Sequence, residues 1–278
     1  MIGIIGQGFV GNAVYQKFKN YYDVKTYDID ETKSNSTFED TVKSSKFIFV
    51  CLPTPMYKHN GSCNTSIVEE VANEIDVIAE DYNEKKYIII KSTVPPGTIK
   101  RLNNDLQYTH IVFNPEFLTE ANAVQDYENQ NRIILGGPKH ATSRVKLIFT
   151  KVFPMTHIIR CDDMEAEMIK YTTNAFLATK VSFANEIYEI CEKHSIDYDK
   201  VIEYATMDDR LGKSHWAVPG PDGDFGFGGH CFPKDLESLL FITNFHNTTN
   251  NVLKSVKETN NKVRKNRDWE NMEGRAVS

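Results

Sequence analysis

The sequence predicts an α/β fold, a doubly wound parallel sheet followed by a helical domain, on three observations. Short apolar runs bounded by turn residues recur at Met1–Ile5, Val24–Tyr27, Phe47–Leu52, Tyr87–Ile90, Ile111–Phe113, Ile133–Leu135 and His157–Ile159. Helix-length stretches separate most of them, which is the rhythm of strands joined by crossover helices. Tight hairpin dipeptides are nearly absent: Asn60-Gly61 is the one example, in a loop that no strand-like run flanks directly. Finally, the texture changes at about Met164, where strand signals stop and apolar and small residues take up helical spacing.

Each element has a local reason. The first run opens on Ile and Gly and passes into a glycine-rich turn, then into a helical pattern. Runs two to seven are bounded by polar, Gly or Pro residues and are short enough to be buried strands. From Met164 to His194 no Gly or Pro occurs, so one long helix is expected there. Asp197–Ala205 and Asp235–Phe245 read as further helices, and Val218–Pro233 is too rich in Gly and Pro for either regular element. Asn250–Asn266 is expected as a last helix, after which the chain frays. The expected division is 1–163 and 164–278, two domains in a chain of 278 residues.

Composition excludes several classes. With 40% hydrophobic and 25% charged residues the chain is neither disordered nor fibrous. Net charge is −6, and the only basic stretch, Lys262–Arg267, is short, so no nucleic-acid partner is expected. No apolar run is long enough for a membrane span, and the strand-like start is not expected to act as a signal peptide. The five cysteines, Cys51, Cys63, Cys161, Cys191 and Cys231, are odd in number and lack C-x-x-C spacing. That argues against a disulfide framework and a zinc site, so no metal is expected and a reducing, cytoplasmic setting is. Cys51 and Cys191 read as small buried hydrophobes.

The turn Gly6-Gln7-Gly8-Phe9-Val10-Gly11 follows the first strand and opens a helix. Gly6 permits the tight turn, Gly8 a close approach of pyrophosphate, and Gly11 close helix packing. Asp28 ends the second strand, where its carboxylate meets the adenosine ribose and repels a 2′-phosphate. The signature is Rossmann-like and selects NAD over NADP, with Asp30 the poorer ribose ligand.

Three further segments put polar groups at expected strand ends or on the long helix. They are Lys91-Ser92-Thr93-Val94-Pro95-Pro96-Gly97, Asn114-Pro115-Glu116-Phe117-Leu118-Thr119-Glu120, and Lys170-Tyr171-Thr172-Thr173-Asn174. Carboxyl ends of parallel strands are where ligands bind. Glu116 and Glu120 read equally well as carboxylates favouring a helix N-terminus. Lys170 and Asn174, spaced i, i+4, share a helix face and can stabilise an oxyanion together, or form a solvated pair.

Together with Asp209-Arg210-Leu211-Gly212 and Gly226-Phe227-Gly228-Gly229-His230-Cys231-Phe232-Pro233-Lys234-Asp235, these motifs resemble the UDP-glucose/GDP-mannose dehydrogenases, most closely the UDP-glucose 6-dehydrogenases. The resemblance runs from Gly3 to about Lys265. It implies that the helical domain carries dimerisation and catalysis, and that the reaction is a four-electron oxidation of a sugar C6 alcohol with Cys231 as nucleophile. It further implies Lys170 and Asn174 on the oxyanion, Glu116 as base for the hydrolytic water, and Asp235 with Thr93 orienting water. Phe9, Val10, Lys33, Thr54, Thr93, Glu120 and Lys234 are then expected at the cofactor. Glu116, Phe117, Leu118, Lys170, Asn174, Arg210, Phe225 and Gly228 are expected at a UDP-sugar, with Arg210 reaching across a homodimer.

Members of that family continue into a second nucleotide-binding-like domain that holds UDP; with no counterpart expected in these 278 residues, weak UDP-sugar binding, help from another polypeptide or a smaller substrate is expected. The β-hydroxyacid dehydrogenases share the fold plan and the Lys-x-x-x-Asn helix, but transfer a single hydride and need no cysteine. A non-catalytic binding protein is the third alternative; it predicts eroded catalytic residues, and none is eroded.

Overall fold

The computed structural model describes all 278 residues. Strands β1 (Ile2–Ile5), β2 (Val24–Tyr27), β3 (Phe47–Val50), β4 (Lys86–Ile90), β5 (Thr109–Phe113), β6 (Arg132–Gly136) and β7 (His157–Cys161) fall on the seven apolar runs. Helices α1 (Phe9–Phe18), α2 (Phe38–Ser44), α3 (Ser66–Asp81), α4 (Thr98–Asp105), α5 (Ala123–Glu128) and α6 (Lys139–Val152) lie between them. The remaining helices are α7 (Asp163–Lys193), α8 (Tyr198–Ala205), α9 (Cys231–Phe245) and α10 (Asn251–Val263).

The strands form one sheet in the order β2-β1-β3-β4-β5-β6-β7. The five strands β1 to β5 are parallel, with Ile2 opposite both Val24 and Phe47. Order reverses between β1 and β3, which makes their carboxyl ends the topological switch point where ligands bind. The sheet is not wholly parallel as expected. β6 meets β5 antiparallel through Phe113 and Gly136, and β7 runs parallel to β6. The reason lies in α5, which docks on α1. The chain leaving β5 stays at the carboxyl end of the sheet and re-enters from there, reversing the last two strands.

Strand residues alternate between two apolar layers. Phe49, Ile89 and Val112 pack on one face with Phe18, Tyr127 and Phe149. Ile48, Val50, Ile88, Ile90, Ile111 and Phe113 pack on the other with Val68, Ile75 and Ile99. Burial on both faces explains why these runs read as continuously apolar.

The chain divides into two compact units, Met1–Thr54 with Thr65–Lys170, and Pro55–Asn64 with Tyr171–Ser278. In the second unit the segment around Asn60-Gly61 is a small hairpin: Tyr57 N–H donates to Ser62 O, and Met56 bridges Cys63 antiparallel. The residues beyond α10 do not fray. Trp269, Ala276 and Val277 bury themselves against Met56, and Ser278 N–H donates to Met56 O. The Gly- and Pro-rich stretch also ends earlier than its composition suggests, because α9 begins at Cys231 and Pro233 lies within the first turn, where a missing N–H is harmless.

Candidate active site

In the first unit the glycine-rich turn is a cradle. Gly6 has φ of +89°, and a Cβ on Gly11 would stand 1.8 Å from the Gly6 carbonyl oxygen, whereas Gly8 faces open space. Asp28 locks the turn: its carboxylate accepts from Gln7 N–H at 2.6 Å and from Asp30 N–H at 2.9 Å. Beside it lies a cavity of about 580 Å³ lined by Gln7, Gly8, Phe9, Asn12, Thr32 and Lys33, among others. Lys33 pairs with Asp30 at 3.0 Å and remains half-exposed. Val10 is half-buried on α1, and Thr54 and Thr93 are buried just beyond the carboxyl ends of β3 and β4. Glu120 is solvent-exposed. The crowding at Gly11, the room at Gly8 and the cavity fit a dinucleotide with its adenosine end over β2. Gln7, Asn12 and Thr32 were not singled out from sequence, and nothing in their type or spacing points to the cavity wall.

Glu116, just past β5, is 8% exposed and held from three sides. Its Oε1 accepts from the N–H groups of Phe117 and Leu118 at 2.5 and 2.7 Å. Its Oε2 lies 3.1 Å from the Lys91 ammonium yet makes no hydrogen bond. Lys91 donates to Asn114 Oδ1 at 2.9 Å, and Asn114 donates to the Ile134 carbonyl at 2.8 Å. Lys170 donates to the carbonyl oxygen of Glu116 and stacks over the Phe117 ring at 5.3 Å. Phe117 and Leu118 are half-buried. Burial pushes the Cys51 thiol up to about 12 and, with Glu116 and Cys51 nearby, the Tyr127 hydroxyl well above its ordinary value. Both therefore stay neutral beside the ion pair. The Lys91 pairing escaped the sequence reading, although a lysine closing the run Tyr-Ile-Ile-Ile must be buried and so needs an anion.

In the second unit Cys231 is the first residue of α9. Lys234 and Asp235 follow one turn on, with side chains 8% and 2% exposed and 2.5 Å apart. Asp235 also accepts from Asn174 Nδ2 at 2.6 Å, so its two oxygens are divided between an ammonium and an amide. Burial alone would push the Lys234 ammonium down. Asp235 and the thiols of Cys63 and Cys231 outweigh it and hold the pKa above its ordinary value. Tyr171 and Ser238 close the far side through a 2.9 Å hydroxyl pair. Lys170 and Asn174 lie one turn apart on α7 as expected, but their polar ends have separate partners.

The glycine-rich loop before Cys231 is held from behind. Arg264, its side chain 2% exposed, pairs with Asp222 at 2.7 Å and with Asp268 at 3.3 Å. Gly229 N–H donates to Asp268, and a Cβ on Gly228 would meet the Arg264 guanidinium at 2.2 Å. Phe225 is half-buried against Tyr188 at 5.6 Å between ring centroids. Arg210, 88% exposed, is drawn back onto Asp208. No cluster of three or more His, Cys, Asp or Glu is placed to hold a metal ion, and no helix is long and apolar enough to cross a membrane.

Two family models match the chain. Residues 29–153 match the NAD binding domain of the UDP-glucose/GDP-mannose dehydrogenase family, and residues 164–262 match its central domain. UDP-glucose 6-dehydrogenase of Campylobacter jejuni is 31% identical over 93% of this chain and 71% of its own length. The chain belongs to the UDP-glucose/GDP-mannose dehydrogenase family. Members of this family are NAD-dependent oxidoreductases, and NAD is the cofactor for which the first unit is built. Among solved structures, the UDP-glucose dehydrogenase of Pyrobaculum islandicum superposes with a TM-score of 0.84 at 24% identity, over 94% of this chain and 68% of that one. Mycobacterium tuberculosis 3-hydroxyisobutyrate dehydrogenase superposes at 0.73 and 18% identity, over 94% of this chain and 92% of that one. Both likenesses show the fold. Several other UDP-glucose/GDP-mannose dehydrogenase relatives are longer, the chain spanning about half of their length, 48% to 56%.

Proposed function

We propose that this chain oxidises the C6 alcohol of a nucleotide sugar, UDP-glucose being the first candidate, to the uronate through a thiohemiacetal and a thioester on Cys231. The observation that carries the reading is Cys231 at the first position of α9, one turn from the buried Lys234–Asp235–Asn174 chain. A helix N-terminus and a nearby ammonium both favour a thiolate, the form that traps an aldehyde. The expected halves 1–163 and 164–278 then supply cofactor and nucleophile respectively.

NAD, when bound, would supply the hydride acceptor for both oxidations. Gly6, Gly8 and Gly11 would admit its pyrophosphate, and Phe9, Val10, Asp28, Lys33, Thr54, Thr93, Glu120 and Lys234 would hold it. Cys231 sulfur adds to the aldehyde carbon, and the resulting oxyanion is met by Lys170 and Asn174. After the second oxidation, Glu116 takes a proton from water as that water attacks the thioester carbonyl. The C–S bond breaks and the thiol of Cys231 is restored. Asp235 fixes Asn174 and Lys234, and with Thr93 it orders the water. Phe117, Leu118, Arg210, Phe225 and Gly228 contact the UDP-sugar. A homodimer through the helical domain is supported by Phe176, Phe183 and Ile190, which recur every seven residues along α7 and are all more than half exposed. The cytoplasm suits five cysteines of which none forms a disulfide.

The 3-hydroxyisobutyrate dehydrogenase likeness keeps a second reading in play, a single hydride transfer. Counting NADH formed per UDP-glucose consumed separates them: two supports the thioester route, one the single transfer, none a binding protein. Cys231→Ser must then stop uronate formation; turnover unchanged in that variant refutes the mechanism.

A further inference from the structure

The carboxylate of Glu116 is more tightly specified than a general base requires, and the residue that specifies it has no assigned role. Oε1 is committed to two backbone N–H groups. Oε2 is buried, makes no hydrogen bond, and faces the Lys91 ammonium at 3.1 Å. One oxygen is thus fixed and the other keeps its lone pairs for an incoming donor. Lys91 is itself immobile: its side chain is 2% exposed, it donates to Asn114 Oδ1, and its ammonium lies 5.3 Å from the Tyr127 ring centroid.

We propose that Lys91 is the positioning residue for the Glu116 carboxylate, its ammonium set against Oε2 while that oxygen stays uncommitted to any hydrogen bond. The proposal rests on the reading of Glu116 as the hydrolytic base. The groups that face Glu116 include Lys91 from the end of β4, Cys51 from the end of β3, Tyr127 from α5 and Lys170 from α7. Cys51 and Tyr127 are neutral at physiological pH, and Lys170 donates to the backbone carbonyl of Glu116 rather than to its carboxylate. Arg132 reaches only the Phe117 ring, at 5.0 Å. Lys91 is therefore the cation against the carboxylate itself. A carboxylate buried without its counter-cation takes up a proton at higher pH, and a protonated Glu116 cannot deprotonate water.

The test uses the intact protein as wild type, Lys91→Met, Lys91→Arg and Glu116→Gln. Infrared difference spectra against Glu116→Gln isolate the Glu116 carboxylate band, which is titrated with pH. Lys91→Met moves its midpoint up by about one pH unit or more, and Lys91→Arg restores much of the wild-type position. A midpoint that stays put in Lys91→Met overturns the proposal. With UDP-glucose and NAD, Lys91→Met lowers kcat about ten-fold or more and shifts the acid limb of the pH profile upward, while KM for NAD changes little. If Glu116→Gln keeps full turnover, the reading of Glu116 as base fails, and the infrared titration still decides the role of Lys91. Circular dichroism reports whether Lys91→Met folds; if it does not, an unshifted band and unchanged kcat in a folded Lys91→Gln variant overturn the proposal instead.

Discussion

Glu167 lies in the first turns of α7, is fully buried, and serves another helix. Its Oε2 accepts from Gly97 N–H at 2.6 Å and its Oε1 from Ile99 N–H at 2.9 Å. Gly97 precedes α4 and offers no side-chain cap, so this distant carboxylate satisfies the start of that helix. Burial pushes its pKa from 4.5 up to about 7, against the two N–H groups that pull it down and with Asp163 and Asp162 adding to the rise. A raised carboxyl pKa means that the folded state holds the proton more tightly than the unfolded one. The associated stability is complete below pH 4.5 and is lost as pH rises through 7. The shift corresponds to at most about 3 kcal/mol, at 1.36 kcal/mol per unit. Glu167→Gln removes the titration but leaves one N–H facing an amide NH₂, a loss of about 1–3 kcal/mol. The variant is thus less stable than wild type at pH 5, and the gap closes by about 3 kcal/mol towards pH 8. Urea unfolding followed by far-ultraviolet circular dichroism at four pH values measures it. Fluorescence does not suffice, because the two tryptophans, Trp216 and Trp269, belong to the second unit. A gap that stays constant within about 0.5 kcal/mol from pH 5 to 8 refutes the reasoning.

Gly11→Ala drives a methyl to 1.8 Å from the Gly6 carbonyl, so the turn must open; NAD affinity measured by calorimetry falls at least about ten-fold. Phe183→Asp places a charge in the seven-residue apolar stripe of α7 and yields a monomer by analytical ultracentrifugation, whereas an unchanged dimer excludes that stripe as the interface. Trp269→Ala empties the pocket formed by Met56, Ala276 and Val277, and lowers the stability of the second unit by about 3–5 kcal/mol, read from its thermal midpoint.

The central strands β1, β3, β4 and β5 were legible because they are buried on both faces and so read as largely apolar runs, and β2 and β7 because turn residues bound them. The reversal of β6 and β7 was not, since direction depends on where α5 docks and Tyr127 packs, and no local residue pattern encodes that. The start of α9 was misplaced because Gly228, Gly229 and Pro233 suggest a loop, yet Pro233 is compatible with a first turn. The tight turn at Gly6 and the close packing at Gly11 could be read from spacing alone, because each answers a steric requirement tied to chain position. Lys91 could not be assigned, as its partner Glu116 is 25 residues away and only strand pairing brings them together. Arg264 is similar: a basic residue near the end of a polar helix reads as solvated, and only the fold surrounds it with Asp222, Asp224 and Asp268.

The hairpin at Pro55–Asn64 has a consequence for how the molecule can be taken apart. Met56 is made early by the ribosome, yet its backbone partners Ala276 and Ser278 come more than two hundred residues later. The second unit is consequently sewn shut by the most sequence-distant pairing in the chain, a closure expected late in folding because its loop entropy must first be overcome. A fragment starting at Tyr171 would lack Met56, to which Ala276 and Val277 pair, and would leave Trp269 without that neighbour. Supplying 55–64 in trans, or grafting it onto such a fragment, is then the condition for studying the cysteine-bearing half alone.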